Sequence, residues 1–548
     1  MNRNTNMFAY NRPYLDISRS KFKRNCDHKT TMNAARLVPI YVDELLPGDS
    51  VKMNMTALVR MSTPIYPVMD NAYMDTYFFA IPERLVWEHW VNMMGENDTD
   101  YWTENTEYEM PTIKNNKTTG WEKGSLADYL GIPIGVSGLE VRADIMRACA
   151  LVYNSWFRDE NNVEPQHIYL DDTNRTIASD AVIADINKVE YGIECPKVAK
   201  FADYFTTALP QPQKGDAVRI PLGTTAPLIE NDVTKMFKGK TSGAEGFLVI
   251  NANGTPGQTI SQPPQLRNNS TPNVGFQAGE AIELLGDNFT VDLSNATSAT
   301  INQLRQAFAV QKLFERDAIG GTRYTETIRA HFGCTSPDAR QQRPEYVGGG
   351  RVQINMTQVL QQSATDETSP QGNTAAYSLT VDSRDMVNYS ATEHMLLIGF
   401  ACIRTEHTYQ QGLERFWGRR NRFDWYWPVF ANLGNQFIRN EEIYAQGTDE
   451  DKEAFGYQEA WAEYRYKPSR VSGEMRSTYS APLDSWHYAD YFESLPTLSK
   501  TFIEETDANI ARTLAVQTQD QFICDFYFRG TWTRPMPVNS VPGLIDHH

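Results

Sequence analysis

The chain has 548 residues, with 51 Lys and Arg against 68 Asp and Glu, so its formal net charge is −17. Its six cysteines include no CxxC pair, and this spacing indicates neither a zinc site nor a disulfide framework. The longest apolar run, Met395 to Ile403, is far shorter than the roughly 20 residues of a membrane-spanning helix. No apolar signal core opens the sequence, so we expect no membrane insertion.

The first 36 residues carry a charge opposite to that of the rest. They contain eight Lys or Arg and two acids, a net +6, and since the whole chain carries −17, the other 512 residues carry −23. Clustered cations on an acidic protein typically bind a polyanion, because phosphates attract them. We therefore predict a basic N-terminal arm at residues 1–36 that faces nucleic acid; the alternative is a solvated, unstructured tail.

A two-residue periodicity predicts the first strands. Ser50 to Met61 alternates apolar and polar residues, which is typical of a strand with one buried face. Leu37 to Leu46 precedes it across the turn-forming Pro47-Gly48-Asp49, and we expect the two strands to be antiparallel neighbours. Ala72 to Ile81 and Glu393 to Thr405 are apolar on both faces, which predicts strands covered on both sides.

The last predicted strand runs from Gln521 to Arg529, with four apolar side chains on one face: Phe522, Cys524, Phe526 and Phe528. Strands near both ends of the chain, with long segments between them, favour an antiparallel sandwich enlarged by loop insertions.

Two helices are expected between the strands, and both are interpreted as packing helices. Ser137 and Glu140 have capping-box spacing ahead of the helically spaced apolar residues of 141–152. Thr300 and Gln303 are candidate caps of a second helix, which we expect to end at Gly320-Gly321.

Residues 211–300 differ in composition from the rest of the chain. They contain no Trp, Tyr or Cys, and between Gly246 and Gly279 the only charged residue is Arg267. The segment is rich in turn-forming residues, and its apolar islands need a place to be buried. We predict an ordered surface insertion; the alternative is a flexible linker between two domains.

Sequence motifs of catalysis are absent. The chain has no phosphate-loop pattern, no GxSxG elbow and no HExxH helix. His394 and His407 each follow a glutamate, but without a nucleophile or third ligand in recognisable spacing we interpret them as ordinary polar contacts. We predict no catalytic residue and no cofactor, and the sequence leaves metal binding undetermined.

Aromatic and basic residues are interleaved at residues 415–428, where fourteen positions hold four arginines and six aromatic residues. Single-stranded nucleic acid favours this mixture, since an aromatic face stacks a base with about 1–3 kcal/mol. Protein interfaces are enriched in the same residue types, and we favour that reading. The candidates for a subunit interface or for DNA contact are Trp417, Arg419, Arg420, Arg422, Trp425 and Trp427.

Several long sequence blocks resemble the major capsid protein of the Microviridae, small single-stranded DNA phages, and specifically its gokushovirus branch. The blocks occur in the family order over about residues 20–430, with weaker similarity to the end. They are Leu37-Val38-Pro39-Ile40, Asp43 to Asp49, Thr63 to Asn71, Ile301 to Phe308, Glu315-Arg316-Asp317, Gly320 to Tyr324, Ser336 to Arg340, Arg343 to Tyr346 and Phe423 to Pro428.

The resemblance implies a mainly β protein with a single eight-stranded antiparallel jelly roll, large loop insertions and a few helices. It implies a non-enzymatic structural protein of the virion, synthesised in the bacterial host cytoplasm, that forms an icosahedral T=1 shell around circular single-stranded DNA. The implied partners are further copies of the chain, the genome, an internal scaffolding protein, a minor DNA-pilot protein and a host cell-surface receptor.

Four segments follow from this interpretation: the DNA-facing arm at 1–36, the first part of the jelly roll with a helical insertion at 37–210, a surface insertion forming a threefold protrusion that takes part in host attachment at 211–300, and the rest of the jelly roll with interface loops and the last strand at 301–548. The DNA-binding candidates on the inner surface are Arg12, Arg19, Lys21, Lys23, Arg24, Lys29, Arg529 and Arg534. Two alternatives from other classes are a carbohydrate-binding β-sandwich protein and a soluble single-stranded DNA-binding protein.

Overall fold

A computed structural model describes residues 18–96, 108–178, 183–218, 301–363, 371–372 and 374–539, together with the backbone of six short strands between 228 and 291. The strands are β1 Ser20–Met32, β2 Val38–Leu45, β3 Ser50–Met61, β4 Ala72–Pro82, β5 Thr112–Asn115, β6 Leu139–Arg142, β7 Arg175–Ile177, β8 Leu228–Glu230, β9 Phe237–Gly239, β10 Glu245–Val249, β11 Gln265–Asn268, β12 Ile282–Leu284, β13 Phe289–Val291, β14 Glu345–Gln353, β15 Met356–Leu360, β16 Thr374–Ser378, β17 Thr380–Ser390, β18 Met395–Thr405, β19 Asn435–Arg439, β20 Ala454–Glu459 and β21 Phe522–Arg534. The α-helices are α1 Trp90–Met93, α2 Leu126–Tyr129, α3 Asp144–Val152, α4 Ile301–Gly320, α5 Tyr324–Phe332, α6 Asn440–Ile443, α7 Lys500–Ile503 and α8 Ala508–Ala511.

Two four-stranded antiparallel sheets form the centre of the chain. Sheet A has the strand order β1-β21-β3-β17, and sheet B has the order β14-β4-β18-β2. The mainly β, antiparallel class predicted from the periodicity is confirmed. The first and last strands are neighbours, with Ser20 opposite Arg534 and Met32 opposite Phe522.

The inner faces of the two sheets meet in one hydrophobic core. Alternate residues of β3 and β21 are buried in it, as the predicted period of two requires. Tyr41 of sheet B lies 4.9 Å from Phe528 of sheet A between ring centroids, and Phe78 lies 6.4 Å from the same ring. These aromatic contacts join the two sheets.

The outer face of sheet B is covered as well, which explains the continuous apolar sequences of its central strands. Nearly every residue of β4 and β18 is buried, and α3 packs against β18. Phe79 lies 5.5 Å from Trp156 and 6.0 Å from Phe157, which follow α3. The prediction of strands covered on both sides is confirmed.

The chain divides into two compact units. Unit 1 comprises residues 1–212 and 317–548, and unit 2 comprises residues 213–316. In unit 2 the described strands form the sheets β11-β10-β9-β12 and β13-β8. Unit 2 begins two residues after the first residue of the predicted insertion at 211–300, and it extends past the end of that insertion into α4. Much of that insertion lies outside the described residues.

The prediction that the second and third strands are neighbours is wrong. β2 pairs with β18 in sheet B, whereas β3 pairs with β21 and β17 in sheet A. The turn at residues 46–49 therefore carries the chain from one sheet to the other. Gly48 supports this turn with φ +88°, a backbone conformation that favours glycine.

The predicted capping box at Ser137 and Glu140 is also wrong. Residues 139–142 form β6, which pairs with β5, and the helix begins only at Asp144. Gly138 has φ +78° and donates its backbone N–H to the Asn115 carbonyl at 2.6 Å. Local pairing of β6 therefore replaces the first turn of the predicted helix.

The second predicted helix is present as α4 and ends at Gly320, as expected, whereas Thr300 lies outside the described residues. Its interpretation as a packing helix is wrong for the isolated chain. Ala318 is the single buried residue of α4 and the Phe308 side chain is 63% exposed. Apolar periodicity predicts that a face will be covered, but it does not say whether the same chain covers it.

Candidate nucleic-acid interface

The outward face of sheet A carries the cations of the first strand. In β3 the residues Val51, Met53 and Met55 point into the core, so the intervening Lys52 and Asn54 point outward. Strand β1 is an edge strand, and Lys21 and Lys23 are exposed along it. The segment predicted as an arm is therefore part of the sheet from Ser20 to Met32.

Strand pairing places residues that are far apart in sequence in the same rows. Lys23 lies opposite Thr531, and Thr531 lies opposite Lys52. In the next outward row, Arg529 lies between Asn25 and Asn54. Rows on one face are about 7 Å apart and neighbouring strands about 4.8 Å apart. We call the outward-facing Lys21, Lys23, Lys52 and Arg529 the basic face.

The cations of the basic face are mostly available for an anion. Lys21, Lys23 and Lys52 have no ion pair among the described residues of the chain. Arg529 donates to the Asn54 side-chain oxygen at 3.1 Å, a neutral partner that leaves the positive charge uncompensated. The nearest acid of that row is Asp385, which accepts a hydrogen bond from Asn54 at 3.3 Å. This surface can bind phosphates without first breaking an ion pair.

Two other predicted cations of β1 already face carboxylates. The Arg24 guanidinium lies 2.5 Å from Asp43 and 4.8 Å from the centroid of the Trp532 ring. Lys29 bonds to Asp27 and lies 3.6 Å from Asp525. The hydrogen bond that Lys29 donates to Asp27 raises the pKa of Lys29, so this lysine remains charged. Each of these cations would gain less from a phosphate, because a neighbouring carboxylate already compensates it.

The remaining predicted cations lie near the turn between the sheets or outside the description. Arg19 donates to the Gly48 carbonyl. Arg534 donates to the Glu44 carbonyl at 2.6 Å, and its Nε lies 3.0 Å from a carboxylate oxygen of the fully buried Asp49. The contact between Arg534 Nε and Asp49 does not have the geometry of a hydrogen bond, so it is a Coulombic attraction. Arg534 thus compensates a buried acid, and Arg12 lies outside the described residues.

Sequence reasoning did not identify Lys52 and Asn54 as site residues. Their alternation with buried residues was visible in the sequence of β3, so their exposure was predictable. Their proximity to the basic N-terminal segment was not, because β21, from the other end of the chain, lies between β1 and β3.

The other end of the same sheet face also presents apolar side chains. Leu58, Val381, Ile523 and Tyr527 are exposed there. A cavity of about 500 Å³ adjoins this end and is lined in part by Lys29, Leu58, Lys123, Tyr129 and Ile523. The outward face of sheet A therefore carries the basic face at one end and, at the other, apolar side chains together with the exposed Arg60, which lies opposite Ile523.

A second candidate surface lies in the connection between β18 and β21. Residues 415–433, which we call the aromatic block, include short 3₁₀ turns at Arg415–Gly418, Arg422–Asp424 and Pro428–Phe430. Of the six predicted residues of this segment, five are exposed and the Arg419 side chain is largely buried. The exposed residues are Trp417, Arg420, Arg422, Trp425 and Trp427.

Two of the four arginines of the aromatic block pair with acids of the same chain. Arg419 lies 3.0 Å from Glu463 and stacks on Tyr464 at 4.3 Å. Arg415 lies 3.1 Å from Glu442. A cavity of about 750 Å³ behind them is lined in part by Tyr204, Tyr409, Arg415, Phe416, Trp417 and Arg419. Arg415 and Arg419 are therefore compensated by acids, whereas Arg420 and Arg422 have no ion pair among the described residues.

The two histidines considered as chemical groups have structural partners. His407 is buried between Asp490, at 2.7 Å from Nδ1, and Glu505, at 3.0 Å from Nε2. Burial alone lowers the pKa of His407, but the two carboxylates outweigh it and raise the pKa to about 9. His394 lies against the Trp90 ring, and Glu393 pairs with Arg84 at 2.6 Å.

Among the described residues, no group of three or more His, Cys, Asp or Glu side chains is arranged to hold a metal ion. None of the helices in the described part of the chain combines the length and apolar character needed to span a membrane.

Comparison with known proteins gives consistent matches over almost the full sequence. The family described as "Capsid protein (F protein)" matches residues 13–544. The capsid protein VP1 of Bdellovibrio phage phiMH2K is 40% identical over 546 residues, covering 97% of each chain. The capsid protein VP1 of Chlamydia phage 1 is 37% identical over 585 residues, covering 97% of this chain and 96% of the relative. That of Spiroplasma virus 4 is 39% identical over 550 residues, covering 96% of each chain.

These matches confirm the resemblance to the gokushovirus branch of the Microviridae that the sequence blocks indicated. They also confirm that the chain is a structural protein of the virion and not an enzyme. The chain belongs to the family of phage capsid proteins described as F protein.

Proposed function

We propose that this capsid protein assembles into a small icosahedral T=1 shell around circular single-stranded DNA, with the basic face turned toward the genome. The observation that carries the proposal is a group of exposed, unpaired lysines on a chain whose net charge is −17. Cations without acidic partners bind phosphates in a sequence-independent and salt-sensitive manner. Lys21, Lys23, Lys52 and Arg529 make these contacts, and Arg12 and Arg19 extend them.

The proposed fold of the shell domain is an eight-stranded jelly roll. In chain order, its strands are β1, β2, β3, β4, β14, β17, β18 and β21. Antiparallel pairing then joins the first strand to the eighth, the second to the seventh, the third to the sixth and the fourth to the fifth. A ribbon of antiparallel strand pairs wound on itself has this pattern, and it is the fold of many viral capsid proteins.

The proposed host-attachment element is the insertion between the fourth and fifth strands. Unit 2 lies in this connection, which runs from β4 to β14, and its separation as a compact unit supports a modular role. We propose that it forms the threefold protrusion of the shell. Replacing residues 219–300 by a short Gly-Ser linker should leave shells intact and reduce adsorption to host cells. Loss of folding in that variant would contradict the modular role.

The other partners proposed from the family are an internal scaffolding protein during assembly, a minor DNA-pilot protein and a host surface receptor. We also propose synthesis in the bacterial cytoplasm. These follow from the resemblance to gokushovirus capsid proteins, and no residue of this chain is assigned to them.

Electron microscopy of nuclease-treated protein tests the shell directly, together with extraction of any protected nucleic acid. The expected result is closed icosahedral particles that protect single-stranded DNA. Folded monomers or small oligomers under all assembly conditions would contradict the shell and favour a soluble DNA-binding or carbohydrate-binding protein. Particles that never protect nucleic acid would support the shell and contradict the role of the basic face.

A further inference from the structure

The aromatic block and the basic face differ in how their cations are used. In the block, Arg415 and Arg419 each face a glutamate, at 3.1 and 3.0 Å. The Arg422 guanidinium stacks on Trp427 at 4.9 Å. The Arg420 side chain contacts neither an acid nor an aromatic ring among the described residues, in contrast to the other three arginines of the 415–428 segment. Acids therefore compensate two of the four arginines of the block, whereas all four cations of the basic face lack an acidic partner among the described residues.

The apolar surface of the block is large. The Phe423 and Trp417 side chains are 70% and 65% exposed, and those of Phe416, Trp425, Tyr426 and Trp427 are 40% to 46% exposed. Because an aromatic side chain buries about 150–250 Å² in an interface, these six rings expose roughly 450–750 Å². A standard protein interface buries about 800 Å² on each partner. The block therefore supplies most of the area that a specific contact requires.

This surface is held in place by hydrogen bonds from its own chain. Asp424 accepts from the backbone N–H groups of Arg420 and Asn421, at 2.8 and 2.7 Å. Trp427 donates its indole N–H to the Arg422 carbonyl at 3.1 Å. Trp461 donates to the Phe430 carbonyl at 3.0 Å. Rings that are fixed before binding lose little conformational entropy when a partner covers them.

We propose that the aromatic block binds a second copy of this chain in the assembled shell and does not contact DNA. Aromatic residues and arginines are the typical anchors of protein interfaces, and the glutamates that face Arg415 and Arg419 lower the cost of desolvating these two charges. A capsid protein meets its own copies at high local concentration, so the second copy is the partner with the required chemistry. The inference rests on the proposed shell.

Photo-crosslinking identifies what covers the block. The full chain carries p-benzoylphenylalanine at position 417 or 423, and assembled particles are irradiated before denaturing electrophoresis and mass mapping. The expected product is a covalent dimer of the chain that forms in particles and is at least tenfold weaker in disassembled protein. Crosslinks to DNA, or no crosslink above the disassembled control, would overturn the inference. If wild-type protein forms no particles, the proposed shell itself fails, which is a distinguishable result.

Substitutions provide an independent measurement. Phe423→Ser and Trp417→Ser remove exposed rings, and circular dichroism and thermal unfolding check that the monomer is folded. We expect folded protein with at least tenfold lower yield of particles, and recovery of assembly in the conservative Phe423→Leu and Trp417→Phe variants. Normal particle yield with reduced DNA content would assign the block to DNA and overturn the inference. Normal yield with normal DNA content would overturn it as well.

Discussion

Lys23 and Lys52 lie on the same outward row of sheet A with only Thr531 between them, because β21 separates β1 from β3. Two strand spacings place their backbones about 10 Å apart. Both side chains are exposed, and neither has an ion pair among the described residues. The free energy of such a pair of like charges decreases when a polyanion compensates both.

The double variant Lys23→Ala/Lys52→Ala should bind single-stranded DNA more weakly and with a smaller salt dependence. Each lost phosphate contact on a single strand reduces the slope of log K against log salt by about 0.7, so two lost contacts reduce it by about 1.4. Fluorescence anisotropy with a labelled oligonucleotide at several salt concentrations measures the slope.

The matched control is Lys452→Ala, which removes an exposed lysine outside the basic face that pairs with Asp449. It should leave the slope unchanged. Equal slopes for wild type and the double variant would show that these two lysines do not contact the phosphates.

Unfolding stability should decrease at alkaline pH because of His407. Both imidazole nitrogens donate to carboxylates, of Asp490 and Glu505, so the protonated form is the one that the structure stabilises. Its pKa of about 9 lies above the ordinary 6.5. The stabilisation, about 3 kcal/mol, is therefore fully present below pH 6.5 and is lost as the pH rises through 9.

Urea unfolding at pH 6 and at pH 10 measures this effect in the wild type and in His407→Gln. The variant should be less stable at pH 6 by about 3 kcal/mol, and the difference should shrink at pH 10. His28→Gln is the control, since the His28 ring lies 2.9 Å from the backbone carbonyl oxygen of Ile40 and has no ion pair among the described residues. A constant difference across the pH range would contradict protonation of His407 in the folded protein.

Arg534→Ala should lower the free energy of unfolding by more than it lowers the free energy of DNA binding. The substitution leaves the carboxylate of Asp49, which is fully buried, without its cation. Removing one partner of a buried ion pair typically costs about 3–5 kcal/mol, and the partial exposure of Arg534 favours the lower end. Thermal or urea unfolding measures the change, with Arg529→Ala as the exposed control on the same strand. A fold as stable as the wild type, with weaker DNA binding, would place Arg534 in the DNA site.

Gly348→Ala should prevent stable folding, whereas Gly350→Ala should be tolerated better. A Cβ at Gly348 would lie 1.6 Å from the Met386 carbonyl oxygen, where β14 of sheet B approaches β17 of sheet A. At Gly350 the nearest atom would be the end of the flexible Arg384 side chain at 2.6 Å. Overpacking against backbone costs at least about 1–3 kcal/mol. Soluble yield and unfolding midpoints of the two variants measure the difference, and equal behaviour would contradict it.

The strands that could be predicted are those whose own pattern is decisive. The alternation of Ser50 to Met61 gave the bounds of β3 and its buried face, and the continuous apolar sequence of β18 indicated cover on both sides. The pairing of β2 with β3 was predicted wrongly, because adjacency in sequence favours a hairpin. The core is more stable when consecutive strands lie in opposite sheets and both bury their apolar faces.

The predicted DNA-binding lysines and arginines could likewise be predicted only in part. Their positions in the sequence identified a basic segment, but they did not separate Lys23, which has no ion pair, from Arg24, which lies against Asp43. Neighbouring residues of a strand point to opposite sides, and what lies on each side depends on strands from elsewhere in the chain. The aromatic block stays a predicted contact surface, and its tryptophans are exposed. The acids that pair with Arg415 and Arg419, Glu442 and Glu463, come from later in the sequence.

The sequence by itself determined the β class, the faces of the strongly alternating strands, the opposite charges of the N-terminal segment and the remaining chain, and, through its long ordered motifs, the capsid family. These properties depend on residue types at short separations. The tertiary structure alone decided the strand order, the row that joins Lys23 to Lys52, and which cations retain an unpaired charge. Those depend on contacts between residues hundreds of positions apart, such as Ser20 and Arg534, which form because burying both sheets against each other removes the most apolar surface from water.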